Sequence, residues 1–254
     1  MALLQANFYS ESLCRQTTFN AVIPMKNKKP LKTLYLLHGI YGNYTDWIVN
    51  TSIAYWAETR NLAVIMPSGD NSFYADNEKA FAMYGEFFGR EIVEATRELF
   101  PLSEKREDTF IAGLSIGGYG AIRAGLKYYE TFGAIAALSA ALLIEEAVVS
   151  TNNTTNIIER RDYFESVFGD LSKLIGSDND PNALITSLKK SDADIPAMYL
   201  CCGTEDFLIE NNRNFHKFLS EQNVKHTYVE SAGAHTWEFW DEYISKILGW
   251  LESR

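Results

Sequence analysis

The sequence predicts an α/β fold: a mainly parallel central sheet with helices on both faces. Three observations carry this expectation. Five short runs, Thr33–Leu37, Leu62–Met66, Thr109–Ala112, Ala134–Leu138 and Ala197–Cys202, are almost wholly apolar, as strands covered on both faces must be. Helical patterns alternate with these runs, which calls for parallel strands joined by right-handed crossovers. The 254 residues are 46% hydrophobic and 22% charged, the composition of a packed globular chain and too apolar for a disordered one.

Taken in order, Leu3–Ser10 and Arg15–Ile23 are rich in strand formers and predict an opening antiparallel pair. A polar turn, Asn27–Pro30, leads to the first core strand, Thr33–Leu37. Ser52–Thr59 reads as a helix with Thr51 or Ser52 as its cap. Met83–Phe100 places Phe88, Ile92, Ala95 and Leu99 on one helical face, and Pro101 marks its end. Further helices are expected at Ile116–Tyr128, Asn211–Glu221 and Trp237–Leu251, and a last strand at His226–Glu230. Between Leu142 and Asp194 the alternation stops, and TNNTTN and GSDNDPN interrupt a segment without clear strands. That length exceeds a plain connection. It predicts a partly helical, cap-like insertion at about 142–194 within a single domain spanning residues 1–254, because the segment has too few apolar residues to close its own core.

Charge and cysteine content narrow the function. The net charge is −10, and the densest basic patch is the short KNKK at Lys26–Lys29. Nucleic acid and anionic membrane surfaces would be repelled at long range, so neither is expected as a partner. Cys14, Cys201 and Cys202 cannot form a disulfide framework, and no Cys/His spacing suits a metal. No apolar stretch approaches the roughly 18 residues that span a bilayer. The amino terminus lacks the pattern of a signal peptide. A soluble, cytoplasmic protein is the expectation.

Gly113-Leu114-Ser115-Ile116-Gly117 fits G-x-S-x-G, directly after a strand and at the start of a helix rich in small residues. Such a turn is sharp and crowded, so the residues two before and two after the serine must lack bulk. The turn projects Ser115 from the carboxyl edge of the sheet, beside a helix amino terminus. A serine hydroxyl is a poor nucleophile at neutral pH and needs a base held by a carboxylate. His235 lies in a loop of small residues after the last strand and is the candidate base. His216 falls on a helix surface, His226 in a strand, and His38 directly after the first core strand. Asp206, in the loop after Ala197–Cys202, is the candidate acid, with Glu205 as rival and Asp192 and Asp194 as weaker ones. The order Ser115, Asp206, His235 is that of an α/β-hydrolase. Two backbone N–H groups must face the oxyanion: one from Ile116, the other from the loop His38–Asn43.

At this point the sequence resembles the esterase D group of the α/β-hydrolase superfamily, which includes S-formylglutathione hydrolases, tributyrin esterases and feruloyl esterases. It is most similar to bacterial tributyrin-esterase-like carboxylesterases. LLHGIYGNYTDW, PSGDNSFY, ELFP, GLSIGGYGA, CGTEDFL and GAHTWEFW carry the likeness, in collinear order over most of the chain. The resemblance implies hydrolysis of short-chain acyl esters through an acyl-enzyme, with no metal or cofactor and a small ester as partner. By that similarity Ile40 supplies the second oxyanion donor. The early loop reads HGIYGN where a formylglutathione hydrolase would carry a longer signature, so a thioesterase stands second. A feruloyl or carbohydrate acetyl esterase and an acyltransferase on the same site are further alternatives, and a non-catalytic binding protein of this fold is the last. Trp47, Phe73, Tyr74 and Trp237 neighbour the active-edge loops and are candidate substrate-binding residues. Oligomeric state is open, with a homo-oligomer allowed.

Overall fold

A computed structural model describes residues 1–25 and 30–254. The expected turn at Asn27–Pro30 and the KNKK patch lie largely outside the described residues. The strands are β1 (Ala2–Ser10), β2 (Arg15–Ile23), β3 (Lys32–Leu37), β4 (Leu62–Pro67), β5 (Asp76–Asn77), β6 (Ala82–Met83), β7 (Thr109–Leu114), β8 (Ala134–Leu138), β9 (Ala197–Gly203) and β10 (His226–Ser231). The helices are α1 (Asp46–Asn50), α2 (Ile53–Thr59), α3 (Tyr84–Glu86), α4 (Ile92–Leu99), α5 (Ile116–Lys127), α6 (Ile144–Val149), α7 (Arg161–Phe168), α8 (Pro181–Lys190), α9 (Ile209–Glu221) and α10 (Trp237–Glu252).

Eight strands form one sheet in the order β1-β2-β4-β3-β7-β8-β9-β10. β1 pairs antiparallel with β2, and β2 with β4; every other pairing in that sheet is parallel. β5 and β6 form a separate small hairpin that the sequence pattern did not announce. Alternation along β3 and β7 divides the core between two faces. Tyr35, Leu37 and Ile111 face the cluster under α4, α5 and α9, while Leu34, Leu36, Phe110 and Ala112 face the cluster under α2 and α10. Both faces are covered, which is the physical reason these strands read as continuous apolar runs.

One helix departs from its expected face. The stretch expected as a single helix at Met83–Phe100 contains a π turn, Phe87–Glu91, between α3 and α4. A π turn inserts an extra residue into the helical repeat and rotates the residues beyond it about the axis. Phe87, Phe88, Ile92, Val93 and Thr96 are buried, while Leu99, expected on the core face, is the last residue of α4 and is 58% exposed. Thr96 is tolerated inside because its hydroxyl is 2.8 Å from the Tyr35 hydroxyl and donates to Ile92 O at 2.7 Å.

The segment between β8 and β9 carries α6, α7 and α8. Its buried residues, among them Phe164, Val167, Leu171 and Ile185, belong to the same apolar cluster as the sheet's inner face. No helix of the described residues is long and apolar enough to cross a membrane.

The parallel register gathers the carboxyl ends of five strands at one edge. Leu37 pairs with Gly113, Gly113 with Ala137, Leu138 with Cys201, and Gly203 with Ser231. The loops after β3, β7, β9 and β10 consequently open on one rim, where α/β sheets bind ligands.

Candidate active site

Ser115 occupies the turn between β7 and α5, with φ 55° and ψ −121°. This backbone conformation is strained for a residue with a side chain, and it persists only where the surroundings hold it. Three backbone hydrogen bonds do so: Ser115 N donates to Leu138 O at 3.0 Å, and Ser115 O accepts from Ala141 N at 2.9 Å and Tyr119 N at 3.1 Å. The small neighbours are required by close approach. A methyl on Gly117 would lie 2.8 Å from Leu37 O and closer still to His38 O, and one on Gly113 would lie 2.9 Å from Leu37 Cβ and overlap Gly117.

Asp206 sits in the turn after β9, its side chain fully covered. One carboxylate oxygen accepts from Leu208 N at 2.9 Å, and the other lies 2.8 Å from His235 Nδ1. The imidazole thus presents Nδ1–H to Asp206, leaving Nε2 for another partner. Burial pushes the Asp206 carboxyl up, but hydrogen bonds from His235, the Leu208 amide and Ser139 outweigh it and hold the group below the usual carboxylate range. Ser139 is itself buried and accepts from Trp240 Nε1 at 3.1 Å. The His235 ring lies edge-on to Trp240 at 4.8 Å and against Phe207 at 4.6 Å.

Ser115 and His235 line one open cleft of about 440 Å³, together with Gly39, Ile40, Asp46, Leu114, Thr236, Trp237, Glu238 and Trp240. Ile40 and Ile116 flank Ser115 from the β3 loop and the first turn of α5. Among the described residues neither backbone amide has an acceptor within the protein. In the β3 loop the left-handed conformation falls on Tyr41 (φ 65°), not on Gly39 or Gly42. Those glycines are needed because a Cβ at Gly39 would lie 2.6 Å from Leu114 Cδ1 and one at Gly42 would overlap Asp46.

The other candidates fall away from the cleft. Glu205 does not hold His235; its carboxylate accepts from Gly233 N, and its own amide donates to Gly233 O at 2.9 Å, which fastens the loop that carries the histidine. Asp194 pairs with Arg106 at 2.7 Å, and Asp192 lies in the turn before β9. His216 and His226 face each other at 2.7 Å on α9 and the start of β10, at the opposite end of the strand. His38 is 1% exposed and cannot serve as a base. Burial holds its pKa below the usual value despite the bond to Gly39 O and the nearby Asp46 and Asp70.

Of the four aromatics expected at the substrate, Trp237 alone lines the cleft. Trp47 is 1% exposed; it donates to Leu37 O at 3.0 Å and stacks edge-on behind Trp237 at 5.4 Å. Phe73 and Tyr74 have φ of 50° and 57°, which turns both rings into the core. Phe73 packs against Tyr119, Tyr163, Phe164 and Phe168, and the Tyr74 hydroxyl donates to His38 O at 2.7 Å. Sequence reading missed Phe207, 74% exposed against the histidine, and the two carboxylates Asp46 and Glu238 at the cleft. Adjacency to Asp206 could have flagged Phe207; no local pattern points to the others.

A family model described as "Putative esterase" matches residues 10–251. The chain belongs to this esterase family. The esterase is 45% identical over 261 residues to an acetyl esterase of Caldicellulosiruptor saccharolyticus, covering 99% of this chain and 98% of that protein. Its structure is similar to FphF, a fluorophosphonate-binding serine hydrolase of Staphylococcus aureus, at TM-score 0.88 and 31% identity over 99% and 98% of the two chains. It is also similar to the S-formylglutathione hydrolase FrmB of Staphylococcus aureus, at TM-score 0.87 and 32% identity over 99% and 98%. The esterase therefore has the α/β-hydrolase fold and is a serine carboxylesterase.

Proposed function

We propose that Ser115, His235 and Asp206 form the catalytic triad and that the Ile40 and Ile116 amides form the oxyanion hole. The observation that carries this is the strained, glycine-flanked Ser115 lining the same cleft as His235, whose other ring nitrogen is bound to buried Asp206. His235 Nε2 takes the Ser115 proton as the oxygen attacks the ester carbonyl, and Asp206 stabilises the imidazolium that forms. The two amides meet the negative charge on the tetrahedral intermediate. His235 then gives its proton to the departing alkoxide, leaving an acyl-enzyme, and later activates the water that releases the acid.

The substrates we propose are short-chain acyl esters of uncharged alcohols. Two features support that class. Leu114 and Trp240 wall the cleft beside the nucleophile, and among the described residues its lining includes Asp46 and Glu238 but no lysine or arginine. An anionic leaving group such as glutathione would be repelled by that pair. A thioesterase remains the second reading because of the likeness to the Staphylococcus aureus S-formylglutathione hydrolase. The protein works as one domain with residues of about 142–194 as its cap-like insertion. A cytoplasmic location is supported by three free cysteines, two of them buried thiols.

The test is kinetic. Ser115→Ala should abolish hydrolysis of p-nitrophenyl acetate with an unchanged circular dichroism spectrum, and near-wild-type turnover would refute the triad. S-formylglutathione should be cleaved with a lower kcat/KM than a neutral short-chain ester, and the reverse ranking would favour the thioesterase.

A further inference from the structure

Ile40 sits between two peptide groups, and each is held from outside the cleft. On one side, Gly39 O lies 2.6 Å from His38 Nδ1 and accepts from Gly42 N at 3.3 Å. The C=O and N–H of a planar trans peptide point in opposite directions. Holding Gly39 O therefore aims the Ile40 N–H, which belongs to the same peptide. His38 is fixed in turn, since its Nε2 accepts from Gly69 N at 2.8 Å. On the other side, Tyr41 N donates to Asn71 Oδ1 at 2.8 Å, and Tyr41 is the residue of this loop in the left-handed region. Asn71 O accepts from the Tyr163 hydroxyl at 2.9 Å. Tyr163 belongs to α7, in the segment between β8 and β9, and its ring rests against Phe73.

We propose that Asn71 is a positioning residue for the Ile40 oxyanion donor, and that Tyr163 extends this control to the insertion. The inference rests on the proposed oxyanion role of Ile40. Without the Asn71 acceptor, the Tyr41 amide turns to water and the strained loop gains a second conformation. The donor is then correctly aimed for only part of the time. Because the oxyanion exists only after attack, the loss falls on kcat and spares ground-state binding. Tyr163 touches only the Asn71 backbone in this chain of contacts, so its catalytic effect must pass through the Asn71 side chain.

The experiment uses the full chain with Asn71→Ala, Asn71→Asp, Tyr163→Phe and the Asn71→Ala/Tyr163→Phe pair. Readouts are kcat and KM for p-nitrophenyl acetate and the inhibition constant of a short alkyl boronic acid, whose boron becomes tetrahedral on the serine oxygen. Asn71→Ala should lower kcat about five- to tenfold with KM within about twofold, the effect of one hydrogen bond made in the transition state. Boronate affinity should fall by a similar factor. Asn71→Asp retains an acceptor oxygen and should keep near-wild-type kcat. Tyr163→Phe should lower kcat by a smaller factor and add nothing in the Asn71→Ala background. Unchanged kcat in Asn71→Ala, a loss confined to KM, or additive effects in the double variant would each overturn the proposal. If Asn71→Ala fails to fold, an unchanged boronate affinity in Tyr163→Phe overturns it. Activity in Ser115→Ala would instead remove the reading of the site beneath it.

Discussion

Adding one methyl group at Gly117 is the sharpest test of the turn geometry. The new Cβ would lie 2.8 Å from Leu37 O and 2.9 Å from Leu37 C, and nearer still to His38 O. These are backbone atoms that cannot rotate away, and they fall about 1 Å inside comfortable contact. Either the start of α5 or the end of β3 must move by that amount. Overpacking of this kind costs about 1–3 kcal/mol, which for a chain of this size lowers Tm by roughly 2–12 °C. Function should suffer more than stability. The two elements that must separate carry Ile116 and Ile40, and misplacing a reacting group by about 1 Å can cost roughly a hundredfold in rate. Gly249 is the control: it lies in α10, with nothing near its would-be Cβ. Gly249→Ala should stabilise the fold by roughly 0.5–1 kcal/mol and leave kcat unchanged. Thermal melts and p-nitrophenyl acetate kinetics on both variants decide the matter. A Gly117→Ala variant with wild-type Tm and kcat would refute the claim that this contact sets the site.

Asp206→Asn should lower kcat by about 10⁴-fold with the fold intact, because an amide does not hold His235 in the required tautomer and charge state; a loss under tenfold would count against Asp206. The depressed Asp206 pKa adds stability above the unfolded value near 3.9 that is lost as pH falls through the folded value, so acid denaturation should be shallower in that variant. His38 also favours its neutral form in the fold, so its contribution is complete above an unfolded pKa of about 6.5 and declines as pH falls. His38→Leu should lose this part of the stability–pH slope and cost roughly 1–3 kcal/mol for the Gly69 amide left without its acceptor. A thiol reagent should label Cys14 alone in the native protein, since burial pushes the Cys202 thiol up to about 12 and the Cys201 thiol well above its usual value; rapid native labelling of Cys201 or Cys202 would contradict the packing.

The strands were legible because two-sided burial writes itself as apolar runs, and each of the five apolar runs is a strand of the central sheet. The turn at Ser115 was legible for a related reason: crowding at one point demands small residues at fixed offsets. Side-chain direction was not legible. Phe73 and Tyr74 neighbour an active-edge loop, yet left-handed backbone turns both inward. Trp47 is one ring removed from the cleft, behind Trp237. The π turn at Phe87–Glu91 was hidden because the apolar residues on either side of it still fit an ordinary helical period. The Asn71 clamp leaves no pattern at all, being one polar residue in a polar loop.

The proposed chemistry requires Ser115 to be the nucleophile that His235 activates. Peptide mapping by mass spectrometry after fluorophosphonate treatment measures this directly. We predict one adduct per chain, on Ser115, formed rapidly in the native protein and much more slowly in His235→Ala. An adduct on another residue, or equal rates with and without the imidazole, would contradict it.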